Sequence, residues 1–135
     1  MASHPIITFP IERLVYTSNA TEAMGTQALF DLLNQARQKN AQLGITGHLL
    51  YADGRFTQCI EGPASSIETL WQSLARDTRH EGVVVLARGP VMARRFDGWA
   101  MAFSSYRYLN SLNMPGFFPL DSHGVSEKST LCEGF

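Results

Sequence analysis

Cysteine is scarce in this chain, with two residues, Cys59 and Cys132, among 135. They show neither the paired spacing of a metal site nor the density of a disulfide framework, so both are read as reduced thiols. Charge of one sign is missing as well. Eleven basic and twelve acidic residues give a formal net charge of −1, and no long basic run is present, which argues against an obligate binder of nucleic acid or anionic membrane. No segment approaches the roughly 20 apolar residues of a membrane span, and no N-terminal stretch joins a basic flank to a long apolar run, so a soluble cytoplasmic protein is expected. There is no internal repeat and no early phosphate-binding loop. With 44% hydrophobic residues the chain fits one compact domain whose core needs neither metal nor disulfide.

What the chain does contain is a hairpin with an anomaly. From Gly44 to Gly62 it reads GITGHLLYADGRFTQCIEG. Ile45, Gly47, Leu49 and Tyr51 fall on one side of an alternating strand, and Asp53-Gly54 suits a type I′ turn. On the returning strand Phe56, Gln58 and Ile60 share one face while Thr57, Cys59 and Glu61 share the other. Gln58 thus stands in an apolar row. A buried amide without partners costs about 1–3 kcal/mol, so Gln58 requires a partner.

Around this hairpin the pattern predicts a strand from Ile11 to Ser18, with Leu14 and Tyr16 on one face and Val15 and Thr17 on the other. Leu29, Leu32, Leu33 and Ala36 form the stripe of a first helix that ends near Lys39-Asn40. A second helix follows Pro63, with Ser65 and Glu68 spaced as a capping box and Ile67, Leu70, Trp71 and Leu74 as its stripe. Val83 to Leu86 reads as a buried strand. Phe96 to Phe103 reads as a fifth strand on which Trp99, Met101 and Phe103 share the large-residue face. Tyr106 to Met114 suits a short helix, stopped by Pro115-Gly116. The order βαββαββ implies an α+β, ferredoxin-like domain over 11–103, a mixed five-stranded sheet with two helices on one face. Residues 1–10 form a lead-in, and 104–135 an extension that is partly ordered at best.

Taken singly, the polar candidates have ordinary explanations. Tyr16 suits a core aromatic whose hydroxyl reaches a backbone carbonyl. Asn40 suits a left-handed residue at a helix end. Arg79-His80 complements the dipole at the close of the second helix. Trp99 and Met101 suit plain core, and Arg94-Arg95 a solvated turn with a phosphate contact as the alternative.

Taken together, RLVYTS at Tyr16, NAQLGITGHLLY from Asn40, FTQCIEG around Gln58, RDTRH from Arg76 and RRFDGWAM around Trp99 resemble the BLUF family, sensors of blue light using FAD. The resemblance covers Arg13 to about Phe103. It implies a flavin ring between the two helices, with Tyr16, Asn40 and Gln58 about its carbonyl edge. Leu32, Lys39, Leu74, Arg79 and His80 are the further implied cofactor neighbours, and Trp99 and Met101 the implied signal relay. FAD is the implied cofactor, with FMN or riboflavin as substitutes, and no metal is expected. The implied function is photoreception without substrate turnover: Tyr16 gives an electron and proton to the excited flavin, and their return leaves Gln58 rearranged. An unidentified downstream protein and a homo-oligomer are the expected partners. Lys39, Ala36 and Cys59 depart from common family residues, which bears on dark recovery more than on fold. Two other classes fit a ferredoxin-like domain: a small phosphohydrolase of the acylphosphatase kind, and a cofactor-free interaction module.

Overall fold

The computed structural model describes residues 11–106, Leu109 and 115–120; the lead-in 1–10, most of the helix expected over 106–114, and 121–135 lie outside them. Seven elements follow in order: β1 (Ile11–Ala20), α1 (Thr26–Leu43), β2 (Thr46–Ala52), β3 (Arg55–Gly62), α2 (Ala64–Arg76), β4 (His80–Val91) and β5 (Ala102–Ser104). The sheet order is β4-β1-β3-β2-β5. Only the β2–β5 pairing is parallel among these strands, so the sheet is mixed, and the ferredoxin-like α+β class holds.

The hairpin forms as its turn chemistry demands, with Asp53 and Gly54 both left-handed at φ of 53° and 77°. Its alternation sends Leu49, Tyr51, Phe56 and Ile60 into one core with Leu14 and Tyr16 of β1, Leu29 and Leu33 of α1, and Ile67 and Leu70 of α2. Both helices therefore lie on this face. Val15, Cys59 and Phe96 pack on the opposite face, where His48 stacks on Phe96 at 5.2 Å between ring centroids.

Several expectations at element ends give way to specific interactions. Helix α1 continues to Leu43 and stops at Gly44, left-handed at φ 70°, whose N–H returns to the Asn40 carbonyl. Asn40 is therefore helical and not the left-handed end residue. Helix α2 has Pro63 at its N-cap with no side-chain cap, so the capping box does not form; Glu68 instead accepts from Arg88 at 2.8 Å. The Val83–Leu86 run is not buried. Strand β4 is an outer strand of the sheet, and Val84, Val85 and Leu86 are 53%, 45% and 58% exposed, while Val83 alone of the four packs on the helix-side core.

The fifth strand is shorter than expected because a carboxylate competes for its backbone. Glu61, fully buried on β3, accepts the N–H groups of Arg95 at 2.8 Å and Phe96 at 2.9 Å together with Arg13 Nε at 2.8 Å. Donors that a strand ladder would use are thus held by Glu61, and Gly98 turns the chain at φ 89°. Regular pairing begins only at Ala102. Arg94 is not a solvated turn residue; its guanidinium donates to Gly44 O at 2.7 Å, Thr46 Oγ1 at 2.9 Å and Glu61 O at 3.1 Å. Beyond β5, residues 116–120 do take a place beside the sheet, with parallel bridges Phe103–Phe117 and Tyr106–Leu120.

Removing the Glu61 carboxylate takes the acceptor from two backbone donors and the ion-pair partner from the half-buried Arg13 guanidinium. Glu61→Ala is expected to lower the unfolding free energy by about 3–5 kcal/mol, and Glu61→Gln by less because one acceptor oxygen remains. Urea unfolding checks this; a loss below about 1 kcal/mol for Glu61→Ala would show that the loop is held by other contacts.

Candidate functional site

A cavity of about 230 Å³ opens between α1 and α2 over the centre of the sheet. The apolar stripes of the helices supply its walls, Leu32 and Ala36 from α1 and Leu70 and Leu74 from α2, while Leu49 and Phe56 rise from the sheet beneath. The polar lining is confined to Tyr16, Asn40, Gln58 and a rim of Gln35, Lys39, Ser73, Asp77, Arg79 and His80.

Strand register brings Tyr16 and Gln58 together, since they are direct cross-strand partners in the β1–β3 ladder. The Tyr16 hydroxyl donates to Gln58 Oε1, and Gln58 Nε2 donates to Met101 Sδ at 3.8 Å. Both residues are buried, Tyr16 at 3% and Gln58 at 6% exposure. The amide thus has one strong partner and, in a thioether, one weak one. Asn40 approaches from the last turn of α1, 1% exposed. Its Nδ2 donates to Ala100 O at 2.7 Å, and among the described residues its Oδ1 receives no donor.

The rim is internally paired. Lys39 Nζ donates to Ser73 Oγ at 2.7 Å, joining the two helices across the slot. Arg79 is held by Asp77, with Nη2 at 2.6 Å from Oδ2, and its Nη1 donates to Gln35 Oε1 at 3.1 Å. This arginine holds the Asp77 carboxyl below the usual carboxylate range even though burial opposes it. His80 donates from Nε2 to Leu74 O at 2.6 Å, and its Nδ1 is hydrogen-bonded with Ser18 Oγ, 2.8 Å away. The His80 and Trp71 rings stand edge-on to Tyr16.

Of the residues singled out from sequence, Tyr16, Leu32, Lys39, Asn40, Gln58, Leu74, Arg79 and His80 all line this one cavity. Trp99 and Met101 separate. Met101 is fully buried against Gln58, whereas Trp99 lies edge-on to Phe118 with ring centroids 6.0 Å apart. The expectation that both share one strand face fails because residues 96–101 are not a strand. Gln35, Ser73 and Asp77 were not anticipated. Asp77, two residues before Arg79, carried a legible signal, an acid placed to clasp the following arginine; Gln35 and Ser73 carried none.

The apolar slot with its paired tyrosine and glutamine is that of a flavin-based light sensor, and comparison with known proteins agrees. The family model described as "Sensors of blue-light using FAD", BLUF, matches residues 11–102. The chain belongs to the BLUF family. It is 35% identical over 97 residues to photoactivated adenylate cyclase subunit beta of Euglena longa, covering 71% of this chain and 11% of that protein. The chain thus spans only about a tenth of such curated relatives. The dark-state structure of BlrB, a BLUF protein, superposes with a TM-score of 0.70 at 33% identity, covering 78% of this chain and 80% of that one. Klebsiella pneumoniae BlrP1 with FMN and cyclic diGMP superposes at 0.64 with 35% identity, covering 69% and 25%.

The residues fit a flavin. An isoalloxazine ring is flat and largely apolar with alternating carbonyl and N–H groups on one edge. The slot offers aliphatic walls, an acceptor in Asn40 Oδ1 and, in Gln58, an amide whose donor side is only weakly engaged.

Burial pushes the Tyr16 phenol far above its ordinary value, and the Asp77 charge adds to the effect. The folded protein keeps this proton where the unfolded chain loses it, so its stabilising contribution is complete below the unfolded phenol value of about 10 and declines as pH rises past it. Unfolding free energies measured from about pH 9 to 11 are expected to fall more steeply for the native chain than for Tyr16→Phe. Equal slopes would contradict the burial of this hydroxyl.

Proposed function

We propose that this chain is a blue-light receptor that holds FAD non-covalently between α1 and α2 and signals through Gln58 without turning over a substrate. The observation that carries it is the cross-strand bond from Tyr16 to Gln58 at the floor of an apolar slot. Leu32 and Leu74 wall the ring, Asn40 and Gln58 read its carbonyl edge, and Lys39, Arg79 and His80 close the rim. Bound there, the flavin supplies light absorption and a temporary electron acceptor.

Tyr16 is the electron and proton donor. Its hydroxyl proton leaves along the bond already made to Gln58 Oε1 and later returns. Gln58 ends with its amide turned, so that a different set of hydrogen bonds reaches the cofactor and Met101. A change of one such bond is worth about 0.5–1.5 kcal/mol, enough to move a balanced population several-fold without unfolding a strand. FAD is favoured by the family description; the FMN of the BlrP1 relative supports recognition through the ring that both molecules share. Met101 passes the change onward, and Trp99 meets it from the outer side through the shared 99–101 backbone. The output goes to a separate protein or to self-assembly of this chain.

Tyr16→Phe and Gln58→Leu are both expected to bind flavin and to lose the light-induced red shift of its absorption, the first by deleting the donor and the second by deleting the amide at similar size. Light-minus-dark absorption spectra check this. A normal, long-lived shift in Tyr16→Phe would remove Tyr16 from the donor role, and one in Gln58→Leu would remove the amide switch.

A further inference from the structure

Arg37 sits on α1 one turn before Asn40, and its guanidinium reaches two places at once. Nε donates to Met101 O at 2.9 Å and Nη2 donates to Pro115 O at 2.6 Å. The first carbonyl belongs to the residue whose sulfur touches Gln58. The second opens the segment that lies beside β5. That segment is held by three backbone bonds: Phe103 N–H to Gly116 O at 2.9 Å, Phe118 N–H to Phe103 O at 2.7 Å and Leu120 N–H to Ser105 O at 2.9 Å. Gly116 is left-handed at φ 77°, and a Cβ there would lie 2.8 Å from the Trp99 ring and 3.2 Å from Arg37 Nη2. Arg37, Trp99 and Gly116 thus form one close-packed junction.

We propose that Arg37 is a positioning residue that ties residues 115–120 to the Met101 backbone, making the docking of that segment depend on the state of Gln58. The inference rests on the photoreceptor function proposed above. Its physical basis is the geometry of arginine: one rigid, charged fork holds two carbonyls from separate stretches of chain, so neither can shift without straining the other's bond. Burial lowers the Arg37 proton affinity, as expected of a charge partly stripped of water. A turn of the Gln58 amide that pushes or releases Met101 Sδ moves the Met101 backbone, and the fork transmits the motion to Pro115. When the segment lifts, the outer edge of β5 is left with open backbone groups.

The amides of Phe103, Phe118 and Leu120 report this docking, because each donates across the junction between β5 and 116–120. Hydrogen exchange of the full chain loaded with FAD, in the dark and under blue light, is the test. In the native protein, light is expected to accelerate exchange at these amides by about tenfold. Arg37→Met, which keeps the stem and removes the donors, is expected to exchange at the lit rate already in the dark and to show no further light effect. Its flavin difference spectrum should stay intact, and Arg37→Lys, able to hold one carbonyl, should be intermediate. Gly116→Ala keeps the arginine but crowds both the Trp99 ring and Arg37 Nη2; it should give the same dark loosening and carries the test should Arg37→Met not fold. The Tyr16 and Gln58 strand amides are the control for general destabilisation and should stay protected. A native red shift with unchanged exchange at the three amides, or an Arg37→Met protein that keeps a normal light response there, overturns the inference while leaving the photoreceptor standing. A native FAD-loaded protein without any red shift removes both.

Discussion

The hydrogen bond from Tyr16 to Gln58 sets the terms for the rest of the domain. An amide placed in the apolar row of a central strand must be bonded or it destabilises the sheet, and the register of β1 against β3 delivers the tyrosine to its acceptor side. Among the described residues its donor side meets a thioether. Such a group is held less completely than an amide saturated by backbone. The walls of α1 and α2 then decide what can approach: something flat, apolar on its faces and polar on one edge.

The surrounding polar groups hold that pair in place and connect it outward. Asn40 ties the end of α1 to Ala100 O, Arg37 ties the same helix to Met101 O, and Glu61 anchors the loop that precedes both. The backbone from Phe96 to Met101 is therefore held mainly by side chains, with one backbone bond to β2, from Gly47 N–H to Trp99 O at 3.0 Å. The relay proposed from Gln58 runs through this irregular stretch, where discrete side-chain bonds offer separate contacts to change. Among the described residues Arg94 holds three protein oxygens and Arg79 clasps Asp77 and Gln35.

Most of the fold and the centre of the site were legible in the sequence because they rest on local signals. Alternation in the hairpin, the Asp53-Gly54 turn and two helical stripes specify the layers, and the same alternation exposes Gln58 as misplaced unless bonded. The errors came from long-range competition. Nothing local says that Glu61 captures the N–H groups of Arg95 and Phe96, so the alternating Phe96–Phe103 run passed for a strand and Trp99 for a partner of Met101. Glu61, on the opposite face of the same strand, needs bonded partners for the same reason as Gln58. Val83 to Leu86 passed for a buried strand because composition does not reveal strand order; β4 proved to be an outer strand. Arg37 was unremarkable in a helix pattern, since its two partners lie 64 and 78 residues away.

The slot above Tyr16 and Gln58 is proposed to hold a flavin whose environment these two residues change under light. The most direct measurement is the visible absorption spectrum of the purified native chain, taken in the dark, during blue illumination and after return to darkness. The expected result is a flavin band that moves to longer wavelength in light and returns in the dark. A colourless protein that does not take up FAD, FMN or riboflavin, or a flavin-loaded one whose spectrum ignores blue light, would contradict it.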